Sequence, residues 1–149
     1  EAGAKLLVET LPHIFDGTAV YEKQPEESPT PYAGMITKQM GLINFGKSAE
    51  ELERLVRGLN PWPSAFTFWN GKTLKVWESF VVKSEEAGTE KPEPGTVVKT
   101  DKKGIYVACG EDVLVLSQVQ LEGKKRMDAD AFLRGCHIET GSRFTDKKE

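Results

Sequence analysis

A mainly β fold with short helices is predicted for this chain of 149 residues, because apolar and polar residues alternate with a period of two between residues 65 and 121. Turn signals divide this stretch into short segments. The strongest is Asn70-Gly71, since both central positions of a type I′ hairpin turn need a positive φ. Five or six short antiparallel strands bury their apolar faces best by closing the sheet. We therefore expect an OB-like Greek-key barrel, preceded by a linker and an N-terminal helix.

The strand segments follow from the same alternation. They are residues 65–69, 73–82, 96–99, 105–109 and 113–121. In the second segment, alternate side chains are expected on opposite faces of the sheet. One face is expected to carry Leu74, Val76, Phe80 and Val82, and the other to carry Lys75, Trp77 and Ser79. The acidic, proline-bearing stretch 84–94 is expected to form a loop.

Two further helices flank the predicted strands. Ser48 and Glu51 form an S-x-x-E capping box, in which each side chain accepts the other residue's free backbone N–H, so residues 48–58 are predicted to be helical. The N-P-W-P run at 60–63 ends this helix, because the residue before a proline is disfavoured in the helical conformation. A shorter helix is expected to begin at Asp128 as N-cap, and residues 139–149 are expected to be frayed.

An amphipathic helix is predicted over residues 1–16, where Leu7, Leu11, Ile14 and Phe15 line one face and Pro12 should kink or end the helix. Since the chain has neither an initiator methionine nor a leader, we expect this helix to end a preceding, missing domain. The expected divisions are 1–17 for that helix, 18–35 for a linker, 36–139 for the barrel domain and 140–149 for a tail. An uncovered apolar stripe favours association, so the helix is expected to dock on the barrel or on a second copy.

Composition excludes several function classes. No apolar run approaches the roughly 20 residues of a membrane span. The net charge of -3 gives no global attraction to nucleic acid, so any basic surface must be local. Cys109 and Cys136 lack the spacing of a zinc site or a disulfide framework, which favours a reduced, cytoplasmic setting, and Cys109 is expected to be a buried structural thiol. No nucleotide-binding, metalloprotease or serine-hydrolase motif is present, so no catalytic residue or metal site is assigned.

The run R-G-L-N-P-W-P-S-A-F-T at residues 57–67 resembles the C-terminal part of the methionyl-tRNA formyltransferase family. Other segments resemble the same family in the same order: 6–12, 32–38, 74–77, 94–97 and 120–127. Asn44-Phe45 departs from it, standing where the family is expected to have Asp-Trp. The resemblance implies a parent enzyme that transfers a formyl group from 10-formyltetrahydrofolate to the amino group of methionine on initiator tRNA. It also implies that the catalytic Asn, His and Asp belong to an N-terminal domain outside this sequence, so His13 has no such role and no cofactor is expected here.

The task implied for residues 36–139 is to bind and position the tRNA. The candidate cations are Lys38, Arg54, Arg57, Lys72, Lys75, Lys124, Lys125 and Arg126. Lysines act as point charges on phosphates and no Asn/Gln cluster for base edges is visible, so recognition of the RNA backbone is expected.

Alternatives stay open for parts of this set. The cluster at 124–126 also fits a solvated turn, and Arg54 and Arg57 also fit ion pairs with Glu50 and Glu53 within one helix. The three tryptophans Trp62, Trp69 and Trp77 fit core or interface packing better than stacking on bases.

Two other functions fit the chain as a whole. One is the OB-like C-terminal module of a 10-formyltetrahydrofolate hydrolase or dehydrogenase, structural and not RNA-binding. The other is a free-standing protein-binding adaptor, which would leave the amphipathic first helix unexplained.

Overall fold

The structure, a computed structural model, describes residues 1–27, 30, 33–87 and 92–147. Parts of the predicted linker, of the predicted 84–94 loop and of the predicted tail therefore lie outside the described residues. The chain divides into two compact units, Glu1–Gly34 and Met35–Glu149. No helix in the described part of the chain has the length and apolarity that a membrane span requires.

The first unit contains helix α1 (Ala2–Phe15), none of whose residues is buried. The helix continues through Pro12 and ends at Phe15, so of the two predicted effects of this proline, a kink or an end, the end does not occur. A proline in the last turn removes a single N–H donor, and its own carbonyl still accepts the Asp16 N–H at 3.0 Å. After the helix, the Asp16 carboxylate accepts the backbone N–H of Thr18 at 2.9 Å and its hydroxyl at 2.6 Å. Both hydrogen bonds lower the pKa of the Asp16 carboxyl, and the one from the Thr18 hydroxyl has the larger effect.

The second unit is built on an antiparallel sheet, which confirms the predicted mainly β class. Its strands are β1 (Ala65–Trp69), β2 (Lys72–Val82), β3 (Val97–Asp101), β4 (Gly104–Ala108), β5 (Val113–Leu121) and β6 (Met127–Asp128). The strand order is β1-β2-β5-β4-β3, and β6 pairs with β5. The β1–β2 turn is formed by Asn70 and Gly71, both with positive φ, as predicted for the hairpin.

In the described part of the second unit, three helices and one 3₁₀ turn accompany the sheet. They are the turn Lys38–Gly41, α2 (Ala49–Gly58), α3 (Ser84–Ala87) and α4 (Ala129–Gly135). The capping box of α2 is present: the Ser48 hydroxyl accepts the Glu51 N–H at 3.3 Å, and the Glu51 carboxylate accepts the Ser48 N–H at 3.4 Å. Helix α3 stands where the sequence predicted a loop. Asp128 is the N-cap residue of α4, as predicted, but its carboxylate makes no cap bond.

The gap between the edge strands β1 and β3 is bridged by residues 141–145, which the sequence predicted to be frayed. Thr145 exchanges two backbone hydrogen bonds of 3.0 Å with Phe68 in β1, and Ser142 accepts the Val97 N–H of β3 at 2.8 Å. The side chain of Phe144 is 3% exposed and stacks on Phe45 with ring centroids 6.2 Å apart. We call residues 141–145 the closing segment, because it joins the two edges of the sheet.

The main core lies between the inner face of the sheet and helices α2 and α4. Leu52 of α2 and Phe132 of α4 pack in one cluster with Leu114 and Leu116 of β5. A smaller cluster on the outer face contains Tyr106, Val113 and Val115, with Val82 packed against it.

Strand β2 carries a bulge that corrects the predicted facing of its second half. The register with β5 shifts on both sides of Glu78, so a residue is skipped after Val76. Ser117 of β5 is skipped in turn, so the later pairs keep the original register, but the extra residue in each strand reverses the face that its following side chains occupy. Val81 therefore packs in the main core, whereas Phe80 is 36% exposed, so grouping Phe80 and Val82 with Leu74 and Val76 was wrong.

Candidate nucleic-acid interface

The bulge in β2 places Trp77 at the centre of a surface formed by β2, β5 and the β5–β6 turn. Trp77 has no register partner in β5, while its neighbours Val76 and Glu78 pair with Val119 and Gln118. Bulges often redirect a side chain in this way. The Trp77 ring is half-buried. The backbone carbonyl of Trp77 accepts a 3.2 Å hydrogen bond from the side-chain amide of Asn60, which follows α2.

Two glutamines of β5 organise the surroundings of this ring, and one of them, Gln120, bonds to it directly. The Trp77 indole N–H donates to the Gln120 side-chain oxygen at 3.1 Å, and the Gln120 amide donates to the Lys124 carbonyl at 2.9 Å. Gln118 donates to the Asp128 carboxylate at 2.9 Å and accepts a short bond from the Arg126 Nε–H. No Asn/Gln cluster was predicted from the sequence, so this pair of amides corrects that expectation. Because these amides use their hydrogen bonds within the protein, their role is to hold the side chains of this surface in place.

Two cations lie over the Trp77 ring. The guanidinium carbon of Arg126 is 4.8 Å from the ring centroid, and the Lys75 Nζ is 5.6 Å from it. Arg126 also forms a 3.2 Å ion pair with Glu78. Lys124 and Lys125 are exposed in the adjoining turn. We call the group Lys75, Trp77, Lys124, Lys125 and Arg126 the Trp77 face.

Helix α2 brings one further candidate to the margin of this face. Arg57 and Trp77 both line a groove of about 360 Å³ between α2 and β2. Arg57 is paired with Glu53, with its Nε 3.1 Å from a carboxylate oxygen, and Arg54 is paired with Glu50 at 3.0 Å. The intrahelical ion pairs left open by the sequence are therefore formed. Exposed pairs of this kind contribute little to stability and are readily exchanged.

The other candidate cations lie elsewhere on the second unit. Arg54 lines a different groove, together with Met40 of the 3₁₀ turn, and Lys38 begins that turn. Lys72 is exposed at the start of β2, where alternation puts it on the side of Leu74, opposite to Lys75. The eight predicted residues thus form one concentrated group and several scattered positions.

The other two tryptophans have different surroundings. Trp69 packs edge-on against Phe132 with ring centroids 6.2 Å apart, which agrees with the packing role expected for it. Trp62, between two prolines, is 59% exposed and is not part of the core.

The cysteines have the environments expected of structural residues. Cys109 is buried, and this burial raises the pKa of its thiol to about 12. Cys136 is partly exposed, and both cysteines are free. Among the described residues, no group of three His, Cys, Asp or Glu side chains is placed to hold a metal ion.

Comparison with known proteins shows the family. The model of the formyl transferase C-terminal domain matches residues 35–137. Curated proteins named methionyl-tRNA formyltransferase are 52% identical to the chain in Agathobacter rectalis, over 96% of the chain and 44% of that protein, and 47% identical in Bacillus subtilis, over 94% and 43%. The chain thus spans less than half the length of these relatives.

Solved structures share the fold. The crystal structure of a HypX variant from Aquifex aeolicus aligns with a TM-score of 0.59 at 13% identity, covering 91% of this chain and 24% of that one. HypX in complex with tetrahydrofolic acid aligns with a TM-score of 0.57 at 12% identity, over 87% of this chain and 22% of that one. The family match covers most of the described second unit, and the chain belongs to the formyl transferase C-terminal domain family.

Proposed function

We propose that the chain is the C-terminal part of a methionyl-tRNA formyltransferase and that it binds and positions initiator tRNA. The relatives at 47–52% identity carry that name. The parent enzyme would transfer a formyl group from 10-formyltetrahydrofolate, its substrate, to the amino group of methionine on the tRNA. The catalytic residues would belong to the part of the relatives that this chain does not span, so no catalytic residue, metal or cofactor is assigned to it.

The observation that carries this proposal is the concentration of cations at the Trp77 face in a chain whose net charge is -3. Lys75 and Arg126 meet over the Trp77 ring from two parts of the sequence, and Lys124 and Lys125 are exposed in the adjoining turn. Such a local basic surface suits the RNA backbone. Positioning a bound reactant contributes several kcal/mol to catalysis, so a domain without catalytic groups can still accelerate the reaction. Lys38, Arg54, Arg57 and Lys72 are proposed as supplementary contacts.

The remaining parts of the chain take their roles from the same proposal. Helix α1 would be the last helix of the preceding catalytic domain over residues 1–17, and 18–35 would be the interdomain linker. Residues 36–139 would form the tRNA-binding domain, and 140–149 a C-terminal tail that includes the closing segment. The exposed side chains of Leu7 and Phe15 would then cover an apolar surface of that domain, or join two copies of the chain when it is alone. Initiator tRNA places the protein in the cytoplasm, which suits its two free cysteines.

The proposal is tested by titrating the chain with initiator tRNA at several salt concentrations. A single-strand or duplex phosphate contact contributes about -0.7 to -0.9 to the slope of log affinity against log salt. Replacing Lys124 and Lys125 with alanine should weaken tRNA binding. It should also make the salt slope less steep, by at most about the contribution of two phosphate contacts.

The matched control replaces Lys102 and Lys103, an exposed lysine pair in the β3–β4 turn of the same sheet. This variant should bind tRNA like the parent chain. Absence of tRNA binding by the parent, or equal losses in both variants, would contradict the proposal. The first result would favour the structural module of a folate-linked hydrolase or dehydrogenase.

A further inference from the structure

We propose that Trp77 is a positioning residue for RNA: its ring holds the Arg126 guanidinium in place for a backbone phosphate and does not itself stack on a base. The inference rests on the proposed function and assigns separate tasks to the members of the Trp77 face. The aromatic ring provides the support, and the cation makes the contact.

Three contacts fix the Arg126 side chain. Its guanidinium lies 4.8 Å above the Trp77 ring centroid, its Nε–H donates to Gln118, and one Nη2–H donates to Glu78 at 3.2 Å. A free arginine loses much rotamer entropy when it binds a ligand. Because these contacts already restrict Arg126, less entropy remains to be lost when a phosphate arrives.

The fixed guanidinium still has donors to offer. Of its five N–H groups, one is given to Gln118 and one to Glu78, and the side chain is 41% exposed. The remaining donors suffice for a bidentate contact with a phosphate. Glu78 is itself 59% exposed, so its pairing with Arg126 is screened by water and can give way to a phosphate.

The same geometry argues against base stacking by the ring. Arg126 and Lys75 both lie over it, and its indole N–H is engaged with Gln120. Through Gln120, the ring is also coupled to the carbonyl of Lys124 in the basic turn. Removing the ring should therefore release the Arg126 side chain from its fixed position.

A double-mutant cycle with initiator tRNA separates these roles. The variants are Trp77→Leu, Arg126→Ala and the two combined, with binding measured at several salt concentrations. Each single variant should weaken binding roughly tenfold, the size of one charge-assisted contact. The double variant should be no weaker than Arg126→Ala, and both single variants should lose a similar part of the salt slope.

Arg143→Ala is the matched control, because Arg143 is also ion-paired, with Glu93, and lies beside β3 at the far edge of the sheet. It should bind like the parent. Losses that multiply in the double variant would show independent base stacking and overturn the proposal, as would full binding by Trp77→Leu. In both cases the parent would still bind tRNA, so the proposed function would stand. A parent chain that does not bind would overturn both.

If Trp77→Leu fails to fold, tRNA binding by Arg126→Lys tests the same proposal. Lysine retains the charge but lacks the planar group and the Nε–H that Trp77 and Gln118 hold. This variant should lose most of the affinity lost by Arg126→Ala. Binding equal to that of the parent would show that charge alone matters and would overturn the positioning role.

Discussion

Replacing Phe144 with alanine should destabilise the second unit by about 3 kcal/mol, although this residue lies in a segment without regular secondary structure. Its side chain is 3% exposed and stacks on Phe45. Burial of a phenylalanine side chain contributes about 1.5–3 kcal/mol, and the cavity left behind raises the cost of Phe→Ala to about 3–5 kcal/mol. We expect the lower end because the closing segment can shift to refill part of the cavity.

Urea unfolding followed by far-UV circular dichroism measures this free energy of unfolding. The melting temperature should fall by about 10 °C, since 1 kcal/mol corresponds to roughly 3–5 °C for a domain of this size. Phe80→Ala is the matched control: it is the same deletion in the same unit, but this side chain is 36% exposed. Its expected cost is about 1 kcal/mol.

Hydrogen exchange locates the effect. The backbone N–H groups of Phe68 and Val97 donate to Thr145 and Ser142, so both should exchange faster in the Phe144 variant. Equal losses of stability in the Phe144 and Phe80 variants, with unchanged exchange at Phe68 and Val97, would refute the account of the closing segment.

Three further predictions concern the helix cap and the cysteines. Ser48→Ala should cost about 1 kcal/mol in urea unfolding, because the Glu51 N–H loses its acceptor. The pKa of Glu51 is lowered, chiefly by the hydrogen bond from the Ser48 backbone. The contribution of this carboxylate to the free energy of unfolding is therefore fully present above the usual carboxyl pKa and is lost as the pH falls through the lowered value. Glu51→Gln should remove that part of the acid dependence of stability. At pH 8 a thiol reagent should modify Cys136 in the native chain, and Cys109, whose pKa is about 12, only after unfolding; rapid modification of both would contradict the burial of Cys109.

Local signals in the sequence were sufficient for the elements that depend on near neighbours. The S-x-x-E box at Ser48 fixed the start of α2, and Asn70-Gly71 fixed the hairpin. In both cases the determining contacts join residues a few positions apart, so the residue types alone specify the geometry.

Features that depend on distant partners were missed. The bulge at Glu78 reflects its pairing with β5, and the closing segment needs both β1 and β3 in place before it can pair. Gly95 permits this pairing, since its φ is +91° and a Cβ there would lie 2.8 Å from the Phe144 carbonyl oxygen, but a glycine in the sequence does not identify the segment that approaches it. The spacing of two between Gln118 and Gln120 indicates a shared strand face, but only the register with β2 sets that face beside Trp77.

The central claim is that tRNA meets this domain at the Trp77 face. The most direct measurement follows the three indole N–H signals and the backbone amides in ¹H–¹⁵N spectra while initiator tRNA is added to the chain. The account predicts that the Trp77 indole signal and the amides of residues 75–78 and 118–126 shift, while the Trp69 indole and the amides of the closing segment do not. Shifts centred on the closing segment or on the β3–β4 turn, with the Trp77 signal unmoved, would contradict it.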